Sequence, residues 1–320
     1  MTKVLFIAAW GRSGTTILDN VLNSYESVFS AGELTYIWLR GLKQRRKCGC
    51  GAPFPECRLW QDILRVAYGD DPPPPAEMYA VQRRSLRVRH TPALLRTPTD
   101  PDVERYRRLT GRLYRAIAEV TGATLIVDSS KSPGDAAALS GVEGVQPYLL
   151  HMVRDPRAVA YSWSRTTSHH DPATPGLMHR HGTVESSGLW LGWNLLIERT
   201  ARAFPGRHRL LRYEDFLAAP RDTVEDLLRF VGLPDSVVSP PAGEGPFVDE
   251  RTVRLAPNHT VSGNPSRFRS GEVSLRLDDR WLDKQPTGPR LVSTAVSLPL
   301  LPRYRYPLRP TAGRAGDQTG

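Results

Sequence analysis

The chain begins with a short apolar run that passes directly into a glycine-rich turn, VLFIAAWGRSGTT over residues 4–16. The apolar run predicts a buried strand, and the pattern after the turn is that of an amphipathic helix. Gly11 and Gly14 carry no Cβ atom to hold a ligand away from the backbone, and the first amides of a helix attract anions. This strand–turn–helix therefore predicts an anion site, to which Arg12 adds a positive charge.

The turn differs from the Walker A loop of nucleoside triphosphatases at two positions. Ala9 stands where that loop has its first glycine, and Thr15 stands where it has its lysine. Both differences weigh against ordinary ATP or GTP hydrolysis. On this segment alone, a purely structural strand-to-helix turn stays an alternative.

Short apolar runs alternate with helical patterns along the chain, which predicts parallel β-α units. The predicted strands are residues 4–9, 124–127, 147–153 and 208–213. The predicted helices are residues 16–23, 102–121, 156–165, 187–203 and 215–231. We expect an α/β fold with a three-layer, P-loop-like arrangement, in which helices flank a parallel sheet and inserted segments form a cap or lid.

The expected organisation is a single domain over residues 1–310 with a disordered tail at 311–320. Residues 70–101 contain four consecutive prolines and many arginines, which predicts an inserted linker and a short helix that caps the site. Residues 166–185 have the length of a lid loop. Their proline and glycine residues favour a mobile loop over a metal site. The loop contains four histidines, His169, His170, His179 and His181.

Composition narrows the classes of protein that fit. The 320 residues are 40% hydrophobic and 24% charged, as expected of a globular protein. The net charge of +10 suits anionic ligands, but no nucleic-acid-binding motif accompanies the arginines, so we expect no nucleic-acid partner. The apolar run at residues 4–9 is too short for a signal-peptide core or a membrane span, which predicts a cytoplasmic protein without integral membrane association.

Three cysteines, Cys48, Cys50 and Cys57, lie within a stretch of ten residues. An odd, clustered set without an export signal argues against a disulfide framework. A zinc site would need a fourth ligand, and the neighbouring sequence offers none. Packing thiols are the favoured interpretation, and metal ligands and a redox role are the alternatives.

A second basic residue follows another predicted strand. Arg154 comes directly after residues 147–153 and before a helix that Pro156 opens. Its guanidinium is suited to bind a phosphate group, and Ser162 lies about two turns into the helix. An ion pair between Arg154 and Asp155 is the alternative. Together with the first turn, this segment predicts a ligand that carries phosphate groups at two separate places.

In these two segments the chain resembles the sulfotransferases that use 3′-phosphoadenosine 5′-phosphosulfate (PAPS). It is most similar to bacterial members that are related to the tyrosyl-protein and carbohydrate branch. The resemblance covers roughly residues 3–307 and implies which residues bind the donor. The residues implied to hold the 5′-phosphosulfate are Arg12, Ser13, Gly14, Thr15 and Thr16. Those implied to hold the 3′-phosphate are Arg154 and Ser162.

Two further segments resemble catalytic elements of the same family. Residues 31–34, AGEL, are similar to a Gly-Glu element whose glutamate is the proposed base, here Glu33. Residues 128–133, DSSKSP, are similar to a strand end that carries an active-site lysine, here Lys131. The cytosolic small-molecule branch has a Thr-His pair at that strand end. The resemblance therefore favours Glu33 over a histidine as base.

Two segments resemble nucleotide-binding loops of the family. Residues 212–215, RYED, imply that Tyr213 lies near the adenine. Residues 262–267, SGNPSR, imply that Arg267 lies in a late loop that closes over the 3′-phosphate.

The resemblance implies in-line transfer of a sulfuryl group from PAPS, as co-substrate, to a hydroxyl acceptor. Glu33 would accept the acceptor's proton, while Arg12 and Lys131 would neutralise the charge that develops at the reacting group. Because protein groups supply this charge, we expect no metal requirement. The expected acceptor is a small molecule, a glycan or a glycolipid with a hydroxyl group. A P-loop-type small-molecule kinase and a non-catalytic nucleotide-binding protein are the alternatives.

Overall fold

A computed structural model describes residues 1–96, 100–165, 180–241 and 243–309. Five strands form its central sheet: β1 (Thr2–Ala8), β2 (Val28–Gly32), β3 (Leu125–Lys131), β4 (Val145–Val153) and β5 (His208–Arg212). The order across the sheet is β2-β3-β1-β4-β5, and all neighbouring strands are parallel. Two shorter strands, β6 (Thr252–Leu255) and β7 (Gly271–Ser274), form a separate antiparallel pair.

Helices follow most strands of the sheet, and short 3₁₀ and π-helical turns connect some of the elements. In the first half of the described chain the α-helices are α1 (Thr15–Leu22), α2 (Arg58–Tyr68), α3 (Pro75–Ser85), α4 (Thr91–Leu94), α5 (Pro101–Thr121) and α6 (Pro133–Leu139). In the second half they are α7 (Pro156–Ser164), α8 (Thr183–Ala201), α9 (Tyr213–Ala218), α10 (Pro220–Phe230), α11 (Asp235–Val238), α12 (Trp281–Lys284) and α13 (Thr287–Ser297).

Strand β1 lies at the centre of the sheet and supplies both hydrophobic cores. Val4 and Phe6 pack in the cluster that contains buried side chains of α2 and α5. Leu5 and Ile7 pack in the other cluster, with α1 and α10. Successive side chains of a strand point to opposite faces. Because β1 is apolar and buried from Val4 to Ala8, it requires helices on both sides of the sheet. The predicted three-layer α/β fold is therefore confirmed.

The structure adds one strand to those predicted, divides one predicted helix and shortens one predicted strand. Strand β2 was missed, because its five residues, VFSAG, give too short a pattern to stand out. The helix predicted over residues 215–231 is two helices, α9 and α10. Ala219 between them has the extended dihedrals φ −136° and ψ 76°, and Pro220 at the first position of α10 cannot continue the preceding helix. Tyr213, predicted at a strand end, begins α9.

The inserted segment at residues 70–101 contains more helix than the sequence predicted. It folds as α3, a 3₁₀ turn at Val88–His90 and α4. The predicted lid loop lies mostly outside the described residues, as do the tail at 311–320 and His169, His170 and His179.

A buried histidine in β4, His151, makes the free energy of unfolding depend on pH. Nε2 of His151 lies 2.7 Å from Oδ1 of Asn194, whose Nδ2 donates to the Trp190 carbonyl at 2.7 Å. The second bond sets the orientation of the amide, so His151 donates through Nε2. Burial lowers the pKa of His151 to about 4, which keeps the ring neutral in the folded protein.

We expect His151 to reduce stability as the pH falls from about 6.5 towards about 4. Over that range the unfolded chain binds a proton at this ring and the folded protein does not, so acid favours unfolding. The loss approaches ~3 kcal/mol near pH 4. Urea unfolding of the wild type and His151→Gln would measure it: the variant should lose less stability on acidification. An equal loss in both would contradict the prediction. His208→Gln removes an exposed histidine of β5 that makes the smallest contribution to the low pKa of His151, and this control should keep most of the loss.

Candidate active site

The carboxyl ends of β1, β3 and β4 open onto one cavity of about 950 Å³. This is the edge of a parallel sheet where ligands commonly bind. The predicted site residues in its wall are Arg12, Gly14, Thr15, Thr16, Glu33, Lys131, Arg154, Ser162, Tyr213 and Arg267. Ser13 is instead buried, and its hydroxyl donates to the Trp10 carbonyl at 2.7 Å. Ser13 therefore closes the turn from inside and does not face the cavity.

The turn before α1 has the backbone shape that an anion cradle needs. Gly14 has φ 85°, a left-handed conformation, and its carbonyl accepts from the amides of Ile17 and Leu18. A Cβ atom at Gly14 would lie 2.2 Å from the Tyr213 ring, so only glycine fits against that ring. The first residues of α1, Thr15 and Thr16, line the cavity, and the amides at the start of a helix are available to an anion.

Aromatic rings border this turn. The guanidinium of Arg12 lies 4.9 Å from the centre of the Trp163 ring, a cation–π arrangement. Trp10 contacts Trp163 and Trp193 with ring centres 5.8 Å and 5.0 Å away. All three tryptophans line the cavity, which sequence patterns did not indicate. Burial lowers the pKa of Arg12, although an arginine stays charged near neutral pH.

Glu33 and Lys131 form an ion pair at the cavity wall, where Lys131 Nζ donates to Glu33 Oε1. The other carboxylate oxygen, Oε2, lies 3.4 Å from Nη1 of Arg40 and 3.4 Å from the Ser262 hydroxyl. Burial raises the pKa of Glu33, but Lys131 and then Arg40 oppose it and hold the pKa below its usual range. Glu33 is therefore ionised at neutral pH and able to accept a proton.

The end of β3 presents Lys131 to the cavity in a strained conformation. Lys131 has φ 71°, which costs a residue with a side chain of order 1–3 kcal/mol. Two donors hold this shape, because the Ala9 amide and Trp193 Nε1 each bind the Lys131 carbonyl at 3.2 Å. The β1–β3 pairing also shifts register next to this residue. Such irregularities turn a side chain away from the regular strand direction.

Buried polar groups support the same strand end. Asp128 accepts from the Tyr114 hydroxyl at 2.6 Å and from the Ser130 amide at 2.9 Å. The Ser130 hydroxyl in turn accepts from the Thr35 amide at 2.9 Å. Burial raises the pKa of Asp128, and these hydrogen bonds oppose that rise. The network fixes β3 against the segment that follows Glu33.

Arg154 lines the same cavity as Glu33 and contacts three groups at the α1 turn and near it. Nη1 donates to the Arg12 carbonyl at 3.2 Å, and Nη2 donates to the Asp278 carbonyl at 2.9 Å. Its guanidinium lies 4.5 Å from the centre of the Tyr213 ring. These two hydrogen bonds use two of its five N–H donors. Arg154 is thus held rigidly at the cavity, the arrangement that favours binding of an anion.

The ion pair that was the alternative for Arg154 is formed by a different arginine. Asp155 binds Arg157 bidentately, with Nε–Oδ1 and Nη2–Oδ2 distances of 2.8 Å and 2.6 Å. Asp155 also caps the first turn of α7 by accepting from the Arg157 amide. This buried pair is structural, and it leaves Arg154 facing the cavity.

Arg267 lines the cavity, but its guanidinium is engaged by the backbone. Nη1 donates to the Thr260 carbonyl at 2.8 Å, and Nη2 donates to the Lys47 carbonyl at 2.6 Å. These bonds join the late loop to the cysteine segment. In this arrangement Arg267 shapes the loop, whereas its neighbour Arg269 lines the cavity with an exposed side chain.

Positive charge dominates the described part of the cavity wall. Nine basic residues and three acidic residues line it, and the acidic residues are Glu33, Asp135 and Asp278. The basic residues are Arg12, Arg40, Arg46, Arg83, Arg87, Lys131, Arg154, Arg267 and Arg269. Arg83 and Arg87 come from the inserted segment at residues 70–101, so that segment forms part of the site. The wall is suited to a ligand with several negative charges.

Asp135 is a carboxyl group in the wall that no sequence pattern marked. It lies in the first turn of α6, and its amide binds the Ser132 hydroxyl at 3.3 Å. Burial raises its pKa to about 7. A carboxyl group with this pKa exchanges protons near neutral pH, which is a property common in active sites.

Comparison with known protein families decides the class of this site. The model of the sulfotransferase family matches residues 5–236, which include the α1 turn, Glu33, Lys131 and Arg154. The chain belongs to the sulfotransferase family. A comparison of this sulfotransferase with curated proteins found no significant match.

Solved structures with the same fold are sulfotransferase domains. One, from the curacin biosynthetic pathway, is 17% identical, with a TM-score of 0.51, and the match covers 97% of this chain and 99% of that domain. Another, from the olefin synthase of Synechococcus PCC 7002, is 19% identical, with a TM-score of 0.51, and the match covers 96% of each chain. At these identities the likeness supports the fold. Within the described ranges, this sulfotransferase has no helix with the length and apolar character to cross a bilayer.

Proposed function

We propose that this sulfotransferase moves the sulfuryl group of PAPS to a hydroxyl acceptor, with Glu33 as the base. One observation carries the proposal: the Glu33–Lys131 ion pair faces the same cavity as the α1 turn and Arg154. A proton acceptor, a cation and two separate anion-binding elements thus surround one space. That combination is what in-line transfer from a donor with two phosphate positions requires.

The residues present fit the donor. The α1 turn, with Gly14, Thr15 and Thr16, lines the cavity at the start of α1, where free backbone amides can bind a phosphate. Arg154 has a guanidinium suited to bind a second phosphate, and Ser162 on α7 lines the same space. We infer that the first element binds the 5′ side of the donor and the second binds the 3′-phosphate.

Protein groups supply the charge and the proton acceptor for the transfer. PAPS supplies the sulfuryl group: the bond from sulfur to the phosphate oxygen breaks as a bond from sulfur to the acceptor oxygen forms. Glu33 takes the proton of the acceptor hydroxyl at its carboxylate. Lys131 and Arg12 stabilise the negative charge on the sulfuryl and leaving oxygens.

The ion pair also adjusts the strength of the base. Lys131 lowers the pKa of Glu33. This effect weakens when Lys131 Nζ also donates a hydrogen bond to a sulfuryl oxygen of the donor. Glu33 therefore becomes more basic when the donor is in place. The same contact that keeps Glu33 ionised in the unliganded protein couples proton removal to donor binding.

The acceptor side is the part of the cavity next to Glu33. Tyr36, Tyr79 and Gln82 line it, and Arg40 lies over the Tyr36 ring at 3.6 Å. Flat aromatic faces pack against rings. Gln82 Nε2 donates to the Thr35 carbonyl at 2.9 Å and to the Tyr106 hydroxyl at 3.2 Å, so its Oε1 is the atom suited to accept from an acceptor hydroxyl. We propose a ring-bearing small molecule or glycan with a hydroxyl group as the acceptor class.

Calorimetric titration with 3′-phosphoadenosine 5′-phosphate (PAP), ADP and ATP, each with and without magnesium, tests the donor. PAP should bind at least about tenfold more tightly than ADP, because a second charged contact adds of order 1.5–3 kcal/mol. Magnesium should not change this preference, since lysine and arginine supply the charge. A preference for ATP with magnesium would overturn the proposal in favour of a kinase. Binding of PAP without any turnover of PAPS would indicate a non-catalytic nucleotide-binding protein.

A further inference from the structure

Three cysteines and one histidine converge in a cluster whose ligand atoms all lie within 4.8 Å of one another: Cys48, Cys50, Cys57 and His259. Cys57 Sγ lies 3.2 Å and Cys48 Sγ 3.8 Å from Nδ1 of His259. Cys50 Sγ lies 3.8 Å from Cys57 Sγ. None of these four residues is among the described residues that line the cavity. The cluster is therefore separate from the candidate active site.

These separations fit a tetrahedral zinc site. Zinc binds sulfur at about 2.3 Å and imidazole nitrogen at about 2.0–2.1 Å, so tetrahedral angles place two sulfurs about 3.8 Å apart and sulfur and nitrogen about 3.5 Å apart. The three contacts of 3.2 Å to 3.8 Å lie around these values. A disulfide needs about 2.05 Å between sulfurs, far less than the distance between Cys50 and Cys57.

Local structure presents the three cysteines together. The Cys48 amide donates to the Ala52 carbonyl at 2.8 Å, and the Gly51 amide donates to the Cys48 carbonyl at 2.8 Å. These bonds close a tight turn that holds Cys48 and Cys50 side by side. Cys57 directly precedes α2, and its Sγ lies 3.8 Å from the Cys50 Sγ of the turn.

The loop after β6 brings the histidine to this turn. Trp60 Nε1 donates to the His259 carbonyl at 2.6 Å, and the Gly49 amide donates to the Thr260 carbonyl at 2.9 Å. The two segments are packed so closely that a Cβ atom at Gly49 would lie 1.9 Å from Oδ1 of Asn258. The fourth ligand is thus pre-positioned by bonds that do not involve the metal, as expected of a built site.

We propose that Cys48, Cys50, Cys57 and His259 bind one structural zinc ion. Three thiolates and one imidazole form the closed ligand set typical of structural zinc, with no position left for a substrate. Cys50 is exposed, so an ion can reach the ligands from solvent. This assignment replaces the sequence-based preference for packing thiols, which rested on the lack of a neighbouring fourth ligand.

The zinc would join two segments that both reach the candidate active site. Beyond His259, the loop continues to Ser262, which contacts Glu33, and to Arg267, which binds the Lys47 carbonyl. The metal therefore positions the loop and takes no part in the reaction. Zinc binding does not depend on the proposed sulfuryl transfer.

Metal analysis of the full chain, expressed with added zinc sulfate and dialysed, tests the proposal. We expect one zinc per chain in the wild type. Cys57→Ser and His259→Asn should lose the zinc, whereas His208→Asn, at an exposed histidine of β5, should keep it. Chelation should lower the Tm, and zinc sulfate should restore it. Wild-type protein that holds no zinc, or that contains a Cys50–Cys57 disulfide by mass spectrometry, would overturn the proposal.

Cobalt substitution gives a measurement that does not rely on the folding of variants. Wild-type protein in which cobalt(II) replaces zinc should show the thiolate charge-transfer absorption and intense visible bands of a tetrahedral site. The absence of both features on titration with cobalt chloride would contradict a Cys₃His site. PAP binding is measured separately, so failure of the zinc site and failure of the proposed donor are distinguishable.

Discussion

Replacing Glu33 with glutamine should lower kcat by roughly 10²–10⁴-fold, the usual contribution of a general base. The amide keeps the shape of the side chain but accepts no proton. Affinity for PAP should not fall, because Lys131 and Arg40 lose a negative neighbour and become more available to an anion. The measurement pairs PAP release from PAPS with calorimetric titration of PAP. A kcat close to that of the wild type would exclude Glu33 as the base.

The dependence on the acceptor separates a base from a structural residue. Among phenols that the wild type sulfates, the loss in Glu33→Gln should grow with the pKa of the phenol, because a more basic hydroxyl needs more help to lose its proton. A purely structural role predicts the same loss for every phenol. Glu225→Gln is the matched control: Glu225 binds Arg229 at 2.9 Å on α10, outside the cavity wall, and its loss should leave kcat unchanged.

The sequence predicted the two strand-to-helix segments that line the cavity because each is local. The α1 turn and the end of β4 are continuous segments in which strand, turn and helix follow one another, so their patterns reveal both fold and position. Neighbouring parallel strands then bring these ends together. The resemblance to a family added Glu33 and Lys131, and the structure places them in contact.

The missed features depend on contacts between distant segments. His259 is 202 residues from Cys57, so no spacing rule connects them. Arg267 sits in a family-like loop, yet its guanidinium is held by the carbonyls of Thr260 and Lys47, which only the folded chain brings near. Ser13 was also predicted to bind the donor, but its hydroxyl is buried. A motif specifies the type of residue at a position and does not specify where its side chain points.

Replacing Arg154 with alanine should weaken PAP binding by roughly 10–100-fold and AMP binding far less. AMP lacks the 3′-phosphate, so the difference between the two ligands isolates that contact from general damage to the site. A hydrogen-bonded charge contributes of order 1.5–3 kcal/mol, which corresponds to this factor. Calorimetric titration of both nucleotides with the wild type and the variant gives the comparison.

Arg154 also supports the turn through the Arg12 carbonyl and the Tyr213 ring, so part of the loss will appear with both ligands. The informative quantity is therefore the ratio of the two losses. Equal losses for PAP and AMP would assign Arg154 to the architecture of the turn and leave the 3′-phosphate to Arg269. Arg280→Ala is the matched control, because Arg280 binds the same Asp278 at 2.6 Å but lies outside the described cavity wall. Its loss should leave the ratio of the PAP and AMP affinities unchanged, since it removes a nearby positive charge that both nucleotides experience without removing a contact to the 3′-phosphate.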